Sequence, residues 1–305
     1  MTVSHGSASA SERISPYSRR LHLGEELRRL RQEAEPKELS IQQVASAVGM
    51  DRTLLTRIEN GQRRVAADVS MKIAEHLGVE QYSPCWQKFY QLARDAAQSG
   101  WWESKAFKGL SPRQALPADL EAGASRIRWY EFALMPGLLQ SPAYLRARHN
   151  TAVTSDRALD SPVNIRARER RQQEVFVPGG PTIEIVVEET VIRRIVVPRP
   201  AMLEQLEHLL DLLDTNTQID FRVLPVGGEL LGLRAPRSPV SIYDFAADDP
   251  PMALAESLTE DVLVRNHVDV ADHDRLFRGL QEIALSQDES RELVVQVIDF
   301  VSKNQ

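Results

Sequence analysis

The stretch from Ser40 to Gly61 constrains the chain more than any other. It reads Ser-Ile-Gln-Gln-Val-Ala-Ser-Ala-Val-Gly-Met-Asp-Arg-Thr-Leu-Leu-Thr-Arg-Ile-Glu-Asn-Gly, two short helical patterns around a tight Gly49-Met50-Asp51 turn. Ser40 followed by Gln43 has the form of a capping box, so a helix is expected to start there with Val44, Ala45 and Val48 facing inward. Gly49 ends it, because a residue without a Cβ takes the left-handed conformation that a sharp turn needs. Asp51 caps the second helix and Asn60-Gly61 closes it. At about 100° per residue, Asp51, Leu54, Leu55 and Ile58 share one arc, and Arg52, Thr53, Thr56, Arg57 and Glu59 share the other.

The second arc separates a helix-turn-helix from a plain helical hairpin. A helix that reads DNA presents short polar residues and Arg near its N-terminus, where side chains reach base edges. Arg52, Thr53, Thr56 and Arg57 are therefore the expected base-reading set. Ser40 and Asn60, with Arg63 and Arg64 just past the helix, are the expected phosphate contacts. An isolated Arg/Thr face would read as solvated surface; two caps and a Gly turn in register tip the balance toward DNA.

The same residues, together with the Ile58-Glu59-Asn60-Gly61 step, resemble the XRE and phage-repressor class of helix-turn-helix domains. That resemblance implies an all-α domain of five helices and a double-stranded DNA partner. It also implies that Arg31 pairs with Glu59, as an Arg at that place commonly does in the class. Two departures stand out. Ile41 replaces the Gln that usually contacts the DNA backbone, and Glu35-Pro36-Lys37 lengthens the connection between the first two helices.

At 305 residues and 42% hydrophobic composition the chain has material for about two domains. No apolar run approaches the roughly 20 residues of a membrane span. Met1 to Ser11 lacks the apolar centre of a secretory signal, so a disordered tail over 1–18 is expected. A single cysteine, Cys85, excludes an intrachain disulfide framework and fits a reducing, cytoplasmic setting; it is expected as a packed helix residue. The net charge of −6 belongs to the chain beyond Gly100. Before it, Lys and Arg only slightly outnumber the acids, so DNA affinity rests on clusters such as Arg19-Arg20, Arg28-Arg29 and Arg63-Arg64.

Leu21 to Glu33 is the expected first helix, Ala67 to Leu77 the fourth, and a fifth opens at Ser83-Pro84. The DNA-binding domain is thus placed at 19–99, a linker at 100–120 with Trp101-Trp102 as its anchor, and a larger domain at 121–305. Gly109 to Leu120 is expected to be irregular. In the larger domain, alternating runs at Ile183–Val187, Ile219–Leu224, Val240–Phe245 and Met252–Ala255 predict strands, with Asp248-Asp249-Pro250-Pro251 as a hairpin connection. Met202–Leu213, Val270–Leu285 and Glu289–Val301 predict helices. The fold class is α+β, a small sheet covered by helices behind an all-α domain.

The Trp-Trp pair, the Arg126-Ile127-Arg128 step at an expected helix end, and Pro136-Gly137-Leu138-Leu139-Gln140 resemble a C-terminal domain of unknown function found behind helix-turn-helix domains in actinobacterial regulators, including Scr-type antitoxin-like transcriptional regulators. The resemblance implies a transcription regulator; because one helix-turn-helix buries too little DNA surface for high specificity and the second domain is long and leucine-rich, a homodimer is expected. The resemblance also implies the alternative of an antitoxin-like module that neutralises a small partner protein encoded nearby. An enzyme finds no support: no Gly-x-Ser-x-Gly elbow or phosphate loop is present, and the seven His residues are scattered without metal-ligand spacing, expected as surface or capping residues. No catalysis, cofactor, metal or membrane contact is expected.

Overall fold

The computed structural model describes residues 13–35, 37–151, 161–230, 232–245, 249–257 and 259–303. Five helices come first: α1 (Pro16–Gln32), α2 (Ile41–Val48), α3 (Arg52–Glu59), α4 (Ala67–His76) and α5 (Pro84–Ala96). Their apolar stripes meet in one core built on Leu23, Leu27, Val44, Leu55, Ile58, Ile73 and Phe89. The caps work as their chemistry dictates. Ser40 Oγ accepts from the Gln43 N–H at 3.3 Å while Gln43 Oε1 accepts from the Ser40 N–H at 2.8 Å. Cys85 is exposed on the first turn of α5, not packed, because it precedes the inward stripe of Phe89 and Leu92.

The N-terminal boundary differs from expectation. Residues 1–12 of the expected tail lie outside the described residues, as do Pro36 and Asp248. Residues 13–18, however, are packed, and α1 starts at Pro16 with Ser15 as its cap, not at Leu21. Arg13 donates to the Ala124 carbonyl at 3.0 Å and the Glu121 carbonyl at 2.8 Å, and Ser15 Oγ donates to Asp119 at 2.7 Å. The segment looks like a polar tail because its partners lie more than a hundred residues away.

The crossing segment is also more regular than expected. Trp102 is buried, with Trp101 edge-on to it at 5.6 Å and to Phe107 at 4.6 Å, which fits an anchor. Gly109 to Leu120 is not irregular: it contains most of α6 (Pro112–Gly123), with Pro112 in the first turn and Pro117 inside. Burial of Gln114, Ala118, Leu120 and Glu121 overrides the helix-breaking composition.

Beyond α6 the chain forms a six-stranded mixed sheet of β1 (Ala124–Glu131), β2 (Thr182–Glu188), β3 (Ile219–Leu224), β4 (Val240–Phe245), β5 (Met252–Ala255) and β6 (Val262–Val264), in the order β3-β2-β1-β4-β5-β6. The β1–β2 and β2–β3 pairs are parallel and the others antiparallel. The Arg126-Ile127-Arg128 step therefore lies in a central strand and not at a helix end. Arg128 is buried there, donating to Asp244 and Asp274 at 2.5 Å each.

The helices are α7 (Pro142–Thr151), α8 (Pro162–Val175), α9 (Glu189–Arg193), α10 (Arg199–Thr215), α11 (His267–Ile283) and α12 (Gln287–Lys303). Because strand side chains alternate, Ile127, Ile185 and Phe221 pack with Leu206, Leu209 and Val297, while Tyr130, Val186 and Ile242 pack with Phe277 and Leu280 of α11. The whole is α+β. Among the described residues no helix is long and apolar enough to cross a membrane.

The two halves touch through α1. Arg19 donates to Asp249 at 2.8 Å, and His22 Nδ1 lies 2.7 Å from the same carboxylate. His22 is thus a junction residue, not a surface or capping one, and the Asp249 hydrogen bond holds its pKa above the usual histidine value despite partial burial.

Candidate nucleic-acid interface

The candidate reading helix is α3, and its N-terminus is fixed first. Asp51 accepts from the Thr53 N–H at 2.7 Å and the Leu54 N–H at 3.3 Å, so its carboxyl is held below the usual range, chiefly by the Thr53 backbone bond. Gly49 ends α2 in the left-handed region at φ 69°. The Lys72 ammonium donates to the Val48 carbonyl at 2.7 Å, capping α2 from α4. Sequence reasoning did not single out Lys72, since its acceptor is a backbone group 24 positions away.

The back of α3 is locked to α1. Arg31 donates through Nε to Glu59 Oε1 at 2.7 Å and through Nη2 to Oε2 at 2.9 Å, a buried bidentate pair. The pairing implied by resemblance is therefore present, and Glu59 does not belong on the outward arc where helical angles alone put it: it is 3% exposed. Arg28, expected among the phosphate clusters, instead donates to Asn60 Oδ1 at 2.5 Å and to the Glu59 carbonyl at 3.2 Å. At Gly24 a Cβ would meet the Glu59 carbonyl oxygen at 2.5 Å, so only glycine lets α1 approach α3 this closely.

The outward side is left open. Arg52, Thr53 and Arg57 are exposed, and neither arginine makes an ion pair among the described residues. Thr56 is half-buried, its hydroxyl donating to the Arg52 carbonyl at 3.0 Å, which leaves its oxygen lone pairs as acceptors.

The expected phosphate group is dispersed by comparison. Ser40 is exposed at the α2 cap, and Arg63 is exposed without an ion pair among the described residues. Asn60 retains only its amide N–H groups because Arg28 occupies its oxygen. Arg64 is ion-paired with Glu103 and donates to the Gln98 carbonyl at 3.4 Å, so it does not stand free beside Arg63. The remaining clusters are engaged too, Arg19 with Asp249 and Asp95, Arg29 with Glu26 and Glu33.

Such an arrangement can place two guanidiniums and a threonine against base edges from a helix whose axis is set by buried contacts. Comparison with known proteins agrees with this geometry. Residues 22–81 match a helix-turn-helix domain, and residues 114–296 match a family described as a domain of unknown function, DUF5753. No curated protein and no solved structure matches the chain.

Proposed function

The chain belongs to the family defined by the domain of unknown function DUF5753, and from that premise we propose that it reads operator DNA as a homodimer through α3, with the second domain joining the protomers and receiving a signal or a partner protein. Its helix-turn-helix domain makes it a DNA-binding regulator. One observation supports reading through α3. Arg52 and Arg57 stay exposed and unpaired among the described residues on α3, while Arg28, Arg31 and Arg64 of the same domain are engaged by acceptors.

In this reading Arg52 or Arg57 takes a guanine edge by two parallel hydrogen bonds, Thr53 accepts or donates and Thr56 accepts at neighbouring bases, and Arg63 meets a phosphate. The protein acts by binding alone. One such helix covers too little sequence for high specificity, so two copies on half-sites about 34 Å apart, or a multiple, are expected. The test is footprinting on the DNA upstream of the protein's own gene, with sedimentation of the complex. Two protected half-sites and two chains per duplex are expected. A single half-site carrying one chain removes the dimer, and protection no better than on scrambled DNA removes the operator.

A further inference from the structure

The second domain encloses a cavity of about 580 Å3 that DNA reading leaves unused. It lies where β1 ends, beside the antiparallel start of β4 and against α6 and α8. β1 is the strand at which the sheet passes from parallel to antiparallel pairing, and open sheets leave crevices where the chain diverges to either side of a strand end.

Its wall is held by a polar network. The Pro136–Gln140 loop is fixed by three glutamines. Gln140 donates to the Met135 carbonyl at 2.6 Å, Gln172 to the carbonyls of Leu138 and Gln140 at 3.0 Å each, and Gln205 to that of Leu139 at 2.8 Å. Gln140 Oε1 also accepts from Arg168. Arg171, fully buried, donates to Glu121 at 2.7 and 2.5 Å and to Gln114 at 2.8 Å. Burial disfavours its charge, yet Glu121 outweighs that and keeps it protonated. Side chains held this way do not need to reorganise when a ligand arrives.

The charges in the cavity are unequal. Arg113, Arg148, Arg168, Arg171 and Arg237 face it, against Glu131, Glu256 and Asp261, with Glu121 behind the wall pairing Arg171. Arg113 takes Asp261 through two bonds of 2.9 and 2.7 Å. Burial, and then the charge of Glu256, pushes the Glu131 carboxyl well above the usual range; burial, and then Asp261, raises Glu256. Carboxyls that oppose each other's ionisation contribute less than their full charge, so the arginines set the sign of the field. Trp129 adds an apolar wall, and its buried indole N–H faces Glu131 without closing a well-formed hydrogen bond.

We propose that this cavity binds a small organic anion, a carboxylate or a phosphate ester, with its charged group among the arginines and its body against Trp129 and Leu254. The inference rests on the second domain being the sensing half of the regulator, and it names the class of signal. α6 connects the cavity to α1: Gln114 and Pro117 line the cavity, and Asp119 on the same helix accepts from Ser15, the cap of α1, and from the Tyr17 N–H.

The test is calorimetric titration and thermal unfolding of the full chain without DNA. Citrate, benzoate, phenyl phosphate and AMP are the anionic probes, glucose and spermidine the neutral and cationic ones. At least one anion is expected to bind with Kd below about 1 mM and to raise Tm. Its affinity is expected to fall about tenfold or more in Arg148→Gln and in Arg237→Gln, the latter an exposed residue whose replacement disturbs no described contact. If no anion binds, if both variants bind it as the wild type does, or if spermidine binds more tightly, the proposal is overturned. A chain that binds the anion but not its upstream DNA would overturn the DNA-reading proposal and leave this one standing.

Discussion

Arginine is used in opposite ways by the two halves of the molecule. On α3 the guanidiniums of Arg52 and Arg57 stand in solvent without ion pairs among the described residues. In the sheet domain Arg128 and Arg171 are buried and clamped by carboxylates from distant segments. A mobile guanidinium suits a long polyanion whose bases must be searched, since each exposed charge gains by displacing counterions wherever it lands. A clamped one suits a single small group, because its direction is fixed before the ligand arrives. The first half also contains an arginine buried and clamped in this way, Arg31, and it serves the geometry of α3 and not its surface.

The largest effect is expected where the clamp in the helix-turn-helix half is removed. Glu59→Ala leaves Arg31 buried without its bidentate partner, and loss of about 3 to 5 kcal/mol is expected, as for other buried pairs cut on one side. Denaturant unfolding of the full chain measures it. A loss within the roughly 0 to 1 kcal/mol of a surface pair would mean that Arg31 is solvated like Arg52.

Asp119 tests the contact between the halves. It accepts from Ser15 Oγ and the Tyr17 N–H, but burial raises its pKa to about 6 against an ordinary 3.8. The folded chain therefore holds the proton more tightly than the unfolded one, and this site's stability falls as pH rises from about 4 to 6. Asp119→Asn removes that cost and keeps an acceptor. The variant should gain on the wild type across this interval, by about 2 to 3 kcal/mol at most. Working from the difference cancels Glu131 and Glu256, whose raised pKa values act in the same direction. His22 acts in the same sense at higher pH, its Asp249 bond stabilising below the ordinary value and fading as pH climbs through the raised one. A difference that stays flat from pH 4.5 to 7.5 would show Asp119 ionised throughout.

Gly24→Ala comes next. The added methyl would sit 2.5 and 2.7 Å from the carbonyl oxygens of Glu59 and Ile58, backbone atoms that yield only if α1 and α3 separate. Overpacking of this kind costs about 1 to 3 kcal/mol. Weaker DNA binding should accompany the lower Tm, because the displaced element is α3, the helix proposed to read DNA. A variant as stable as the wild type would show that the helices slide apart freely.

What could be read from the sequence follows the range of the interactions involved. α2 and α3 are legible because their caps and turn lie within 22 consecutive residues and their apolar period is unbroken. β1 is legible in its alternation of Arg126 and Arg128 with Ile127 and Trp129, although resemblance assigns the step to a helix end; what stays hidden is that Arg128 is buried, because the acids that allow it are 116 and 146 positions away. α6 is hidden by its prolines. The cavity draws on α6, α7, α8, β1 with the loop after it, β4 and β5, and no local pattern announces so many segments converging. The placement of Glu59 fails differently: helical angles assign it correctly to a side of α3, but α1 covers that side through Gly24.

The finest effect separates base reading from phosphate holding on the open face. Arg57 lies on α3 with Arg52, Thr53 and Thr56, whereas Arg63 follows the helix, beyond the left-handed turn at Gly61. A bidentate arginine on guanine discriminates by about 1 to 3 kcal/mol, while one phosphate contact adds roughly one unit to the salt slope and no sequence preference. Arg57→Ala should therefore weaken operator binding and flatten preference at one base position per half-site. Arg63→Ala should weaken operator and scrambled duplexes almost equally and lower the slope by about one unit. Arg64→Ala should do less than Arg63→Ala, because Glu103 already holds that guanidinium. Titrations of both duplexes across several salt concentrations distinguish these outcomes. If Arg57→Ala loses affinity equally for the two duplexes, its guanidinium meets the backbone, and base reading falls to Arg52, Thr53 and Thr56 at the start of the same helix.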